Sequence, residues 1–161
     1  MDRAGKPSFS LEPSSVAIWG YALFALAAGA MLPIQFGINA QLASWVGGSI
    51  RAAFISFVVG AVSLFVAVLV AQRGLSDRVG DAPWWVWIGG VLGAFYVLGS
   101  IVTAPKLGAA TLVALILAGQ AIASLLVDHY GWVGFEEHPI TLVRVAGVVL
   151  LAGGVALVRL S

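Results

Sequence analysis

Five stretches of this chain are almost free of charge, and each is long enough to cross a bilayer; no other feature limits its fold as much. They run over about 16–45, 52–72, 83–104, 108–127 and 140–158, and only Arg144 interrupts the last of them. A spanning helix needs about 20 predominantly apolar residues. Hydrocarbon supplies no hydrogen bonds, so a segment crossing it must satisfy every backbone N–H and C=O internally, which these isolated runs can do only as helices. Composition agrees: 9% of the residues are charged and 61% hydrophobic, whereas about a quarter are charged in a soluble domain. The expected fold is all-α: an integral membrane protein with five transmembrane helices forming one domain over 15–161. Residues 1–14, MDRAGKPSFSLEPS, are polar and rich in Pro and Ser. They read as a disordered tail and carry no apolar region of the signal-peptide kind.

Several function classes drop out. The net charge of +1 contains no basic block, which argues against nucleic acid. With no cysteine there is no disulfide, thiolate metal site or thiol nucleophile. His129 and His138 lie in an interfacial loop without a nucleophile or metal-ligand spacing around them. No catalytic residue, metal or cofactor is expected, and an enzyme is not the reading.

The segments between the runs, VGGSIR, QRGLSDRVGDAP, TAPKLG and DHYGWVGFEEHP, hold the Gly, Pro and charged residues that end helices. Trp84, Trp85 and Trp87, and beyond the fourth helix Tyr130 and Trp132, suit rings anchored at headgroup depth. Orientation follows from Lys and Arg in the short loops. Arg3, Lys6, Arg73, Arg78 and Arg144 stand on the N-terminal side, five in all, against three on the other, Arg51, Lys106 and Arg159. The bias leans toward a cytoplasmic N-terminus but is small enough for both orientations to be populated. With an odd number of helices, an inverted copy is an antiparallel partner.

Small residues recur at helical spacing: Ser56, Gly60 and Ser63 in the second helix, Gly89 and Gly93 in the third, Gly147 and Gly154 in the fifth. Helices in lipid associate through close van der Waals approach, which such residues permit, so these are expected packing positions.

The first run breaks the apolar pattern at LPIQFGINAQLASW, residues 32–45. At 100° per residue Gln35 and Asn39 share a face, and Gln41 points away. Amides are costly to leave unpaired in hydrocarbon, so that face must meet protein or water. Pro33 removes a backbone hydrogen bond and favours a kink beside them. Two readings stand: interhelical hydrogen bonds, or a solute-binding crevice. Gln120 with Ser124 on the fourth helix and Tyr96 on the third could line the same crevice. Arg51 and Lys106 both read as cations at helix N-termini, snorkelling to lipid phosphate or, for Arg51, guarding the entrance to the crevice. Asp128 at the end of the fourth helix and Arg144 near the start of the fifth are each unfavourable to their helix dipole, and pairing would relieve both.

These residues carry a resemblance. GAMLPIQFGINAQLASWVGGSIRAAFISFVVG, then PWWVWIGGVLGAFYV and APKLGAATLVALILAGQAIASLLVDHYG, resemble the YdcZ-like family of the drug/metabolite transporter superfamily from Gly29 to about Leu157. The Pro-x-Gln-x-x-x-Asn pattern of Pro33, Gln35 and Asn39, followed by Ser49 and Arg51, is the most specific part. The resemblance implies a multi-pass protein of the inner membrane, five helices, an exporter function and antiparallel assembly of two copies or of a copy with a close homologue. The similar-sized small multidrug exporters of the superfamily carry a glutamate in the first helix. Here Gln35 and Asn39 stand in that region, so proton-coupled cation antiport is not carried over.

The expected function is small-solute transport by an antiparallel homodimer with alternating access around an amide-lined crevice. A passive channel for solutes or ions, and a non-transporting assembly subunit, are the alternatives. The expected partners are the bilayer, a second copy and an unidentified small molecule.

Overall fold

The computed structural model of the chain describes residues 15–71, 74 and 77–160. The N-terminal tail 1–14 and the loop position Arg73 lie outside them. Five α-helices follow one another: α1 Ser15–Val46, α2 Ser49–Val70, α3 Ile88–Leu107, α4 Ala109–Tyr130 and α5 Leu142–Leu160. Among the described residues there is no strand. Four helical segments are long and apolar enough to cross a membrane: Ala17–Val46, Ser49–Val70, Trp84–Leu107 and Ala109–Tyr130. Leu142–Val158 is a shorter apolar stretch.

The chain divides into two compact units within α1, between Ile34 and Gln35. In the first, α1 is exposed along nearly all its described length up to Ile34, and Pro33 stands inside the helix without ending it. The second contains the rest of α1 and α2 to α5. Its most extensive pairing is α4 with α5, followed by α2 with α3 and α3 with α4. Its apolar centre is small: Ala52 and Ala53 of α2 against Val97 and Ile101 of α3, flanked by Leu42, Ala43 and Val46 of α1.

The connections explain the pairing. Gly108 alone joins α3 to α4; its N–H donates to the Ala104 carbonyl at 3.0 Å and its carbonyl accepts from Leu112 N–H at 3.1 Å. Its φ of 74° with ψ of 160° is a conformation open to glycine and to almost nothing else. Gly47 and Gly48 turn the chain from α1 into α2. A Cβ at Gly47 would stand 2.9 Å from Arg51 Nη1, so a side chain there would displace the guanidinium.

Four helix ends differ clearly from the sequence expectation. The second helix begins at Ser49 rather than 52, because the turn at Gly47–Gly48 lets the helix start before the charge. The third begins at Ile88, after a 3-10 turn over Trp84–Trp87 that follows extended Pro83. It then runs through Pro105 to Leu107, since a proline in the last turn forfeits one helical hydrogen bond and Gly108 supplies the stop. The fourth continues to Tyr130, where Gly131 adopts the left-handed conformation that closes a helix.

These ends revise the reading of two cations. Lys106 stands in the last turn of α3, where the helix dipole favours it, not at the start of α4. Arg51 is in the first turn of α2, but its Nη1 donates to the Val46 carbonyl at 3.2 Å, the last residue of α1. Its charge therefore caps a helix C-terminus.

Candidate polar crevice between α1 and α3

In the second unit, α1 turns Phe36 and Asn39 inward. Phe36 is 1% exposed and Asn39 4%. The Phe36 ring meets Tyr96 of α3 edge-on, with centroids 6.1 Å apart. Asn39, three residues on, lies on the same side of α1 as Phe36. Asn39 Nδ2 and the Tyr96 hydroxyl are both buried, and neither has a hydrogen-bond partner among the described residues. Ser100, one turn beyond Tyr96 and 3% exposed, donates its hydroxyl to the Val97 carbonyl at 2.8 Å and so is satisfied locally. Because most buried polar side chains in proteins have partners, two orphaned groups in so small a core are unusual. An amide donor and a phenol offer hydrogen bonds without a formal charge.

The other residues singled out in the sequence lie elsewhere. Gln35 and Gln41 are exposed, as are Gln120 and Ser124 on α4. Ser124 Oγ donates to the Ala121 carbonyl at 3.0 Å. Within one chain, therefore, Asn39 is buried and Tyr96 half-buried against the apolar centre, while Gln35, Gln120 and Ser124 are exposed. Phe36 had no contrast in the sequence, being one more apolar residue in an apolar run. The available signal was its spacing of three from Asn39, which puts both on the buried stripe that Ala43 and Val46 continue.

The small residues also divide. A Cβ at Gly93 would touch Phe57 at 3.5 Å, so this glycine sits where α3 meets α2. Ser56 is half-buried on α2, and Ser63 Oγ donates to the Val59 carbonyl at 2.8 Å. Gly60, Gly89, Gly147 and Gly154 have nothing within 4 Å of where a Cβ would stand.

A second polar cluster joins α4 to α5. Arg144 Nη1 lies 3.3 Å from Asp128 Oδ2, both side chains about a third exposed at 35% and 29%. The connecting segment is drawn over this pair: His138 N–H donates to the Asp128 carbonyl at 2.7 Å, and Arg144 Nη1 donates to the His138 carbonyl at 3.4 Å. Thr141 Oγ1 accepts from Arg144 N–H at 3.3 Å, the bond of an N-cap threonine to the third helical residue. Tyr130 stacks on Trp132 nearby in sequence, at 4.9 Å.

An all-helical bundle with several spans and a polar pair in an otherwise apolar core has the build of a multi-pass membrane protein. The family model described as "Putative inner membrane exporter, YdcZ" matches residues 20–157. "Inner membrane protein YdcZ" of Escherichia coli (strain K12) is 32% identical over 142 residues, covering 84% of this chain and 91% of that protein. The chain belongs to the YdcZ family of the drug/metabolite transporter superfamily and is a multi-pass protein of the inner membrane. No solved structure matches it.

Proposed function

We propose that this chain is a small-solute transporter in which two copies, oppositely oriented in the membrane, alternate access to a crevice between them. The observation that carries the reading is that Asn39 Nδ2 and the Tyr96 hydroxyl are each buried without a hydrogen-bond partner among the described residues. Unsatisfied polar groups at membrane depth are tolerated where they line a cavity that a solute or water enters. Gln35, Gln120 and Ser124, exposed in the single chain, would complete the lining from both copies. Arg51 would stand at its entrance. The family's exporter description agrees in kind.

Charge supports the antiparallel arrangement. In the second unit the acids Asp77, Asp81, Asp128, Glu136 and Glu137 outnumber Arg78 and Arg144 at the end where α2 connects to α3 and α4 to α5, while Arg51 and Lys106 belong to the opposite end. Inverting one copy would set acids and bases on the same membrane face.

A channel is the second reading, favoured because Arg51, Lys106, Asp128 and Arg144 stand only in first or last helical turns and no Asp or Glu lies in the middle of a span, where an embedded carboxylate is the usual means of coupling to protons. The test is counterflow in proteoliposomes, screened with a panel of radiolabelled polar and amphiphilic solutes. Saturable counterflow, lost in Asn39→Leu and Tyr96→Phe and retained in Gln41→Leu, is the expected result. Flux without saturation would mean a channel, and flux unchanged in Asn39→Leu would remove the crevice.

A further inference from the structure

The α4/α5 face holds a groove that changes character along its length. Its first part, about 330 Å³, is lined by Ser124, Asp128 and Arg144 and continues past Gly147 and Leu151. Its second, about 350 Å³, shares Gly147 and Leu151 and extends along Gly154 to Val158 with wholly apolar side chains. The two adjoin at Gly147 and Leu151 and follow one another along α5. From Arg144 to Val158 the groove follows α5 for about 21 Å, more than half of the ~30 Å hydrocarbon core. Its floor is open, because no atom comes within 4 Å of a Cβ position at Gly147 or Gly154.

The polar end carries a cation and an anion side by side. Asp128 and Arg144 stand in the last turn of α4 and the first of α5, and the end of a spanning helix falls near the headgroups. Their own bond, at 3.3 Å, uses one guanidinium nitrogen and one carboxylate oxygen. Arginine has five N–H donors and a carboxylate about four acceptor sites, so most of the capacity of both remains. Arginine suits phosphate oxygens, and a carboxylate suits an ammonium that still carries N–H.

We propose that this groove holds a phospholipid whose headgroup joins a phosphate to a primary ammonium, namely phosphatidylethanolamine. Arg144 takes the phosphate, Asp128 takes the ammonium, and one acyl chain lies along Gly147, Leu151 and Gly154. The order of polarity, charged at the interface and apolar beneath it, is that of a lipid in its own leaflet. Phosphatidylcholine would present Asp128 with methyl groups rather than N–H donors. Phosphatidylglycerol would leave the carboxylate without a cation. Apart from Ser124 at its edge, the groove shares no residue with the proposed Asn39 crevice, and lipid binding there does not depend on transport.

The test uses the full chain in nanodiscs made from equal amounts of phosphatidylethanolamine, phosphatidylcholine and phosphatidylglycerol, with retained lipid identified by native mass spectrometry after extraction. The wild-type protein should keep phosphatidylethanolamine in preference to both others. Arg144→Gln should lower that retention about tenfold, roughly the size of one charge-assisted hydrogen bond. Asp128→Asn should bring phosphatidylethanolamine and phosphatidylcholine to parity while lipid is still bound. Gly147→Leu keeps the charged pair and fills the trough, so reduced retention in that variant locates the acyl chain there even if Arg144→Gln fails to fold. Equal retention of all three lipids by the wild type, or unchanged retention in Gly147→Leu, would overturn the proposal. So would efficient cross-linking of Gly154→Cys between two copies, which would give the groove to protein.

Discussion

At the scale of single residues, energetics turn on two kinds of polar group. A buried amide or hydroxyl left unpaired costs about 1–3 kcal/mol, and Asn39 and Tyr96 both stand in that state. Asn39→Leu should therefore leave the thermal midpoint of the detergent-solubilised protein unchanged or raise it; a clear fall would show that the amide is bonded after all. Asp128 and Arg144 are partly exposed and worth only about 0–1 kcal/mol as a pair. A double-mutant cycle with Asp128→Asn and Arg144→Gln should show the double variant destabilised by less than the sum of the two single changes, and strict additivity would contradict the contact. The sequence exposes such residues because an amide, a phenol or a charge inside an apolar run stands out. Gln35 shows where that reasoning ends. A rotation of 100° per residue assigns a side chain to a face of α1 but does not say which flank of that face a neighbouring helix covers, and Gln35 is exposed.

At the scale of elements, the five apolar runs correspond to five helices because hydrocarbon allows an isolated chain no other way to satisfy its backbone. The ends were less legible. Pro105 reads as a stop, yet α3 continues through it, as a membrane helix can where the freed carbonyl is satisfied otherwise, and the decisive residue is Gly108 two positions beyond Lys106. Gly108→Ala forces an L-residue into a backbone conformation that costs about 1–3 kcal/mol and should lower the thermal midpoint. Gly90→Ala makes the same chemical change inside α3, where no atom stands within 4 Å, and should be neutral or mildly stabilising. Equal effects from the two substitutions would mean that the α3–α4 turn does not depend on the glycine conformation. Small-residue stripes are legible as a pattern, but spacing does not reveal what fills the space opposite. Gly93 meets Phe57, whereas Gly147 and Gly154 open onto a groove.

At the scale of the whole molecule, a single chain buries little. Among the described residues Phe36, Asn39, Ala52, Ala53, Val97, Ser100, Ile101 and Leu112 are buried, while long rows of Leu, Val, Ile and Phe remain exposed. Lipid covers such surface in a membrane, and so would a second copy. The proposed transport cycle needs that copy inverted, which the count of five Lys and Arg against three permits. The chain has no cysteine, so Ser161→Cys introduces a unique thiol at its C-terminus. In spheroplasts expressing this one chain, a membrane-impermeant maleimide should label a substantial fraction of the protein from outside, and the remainder should react only after permeabilisation. Labelling confined to one face would contradict the account, because a single orientation leaves no antiparallel partner with which to form the crevice.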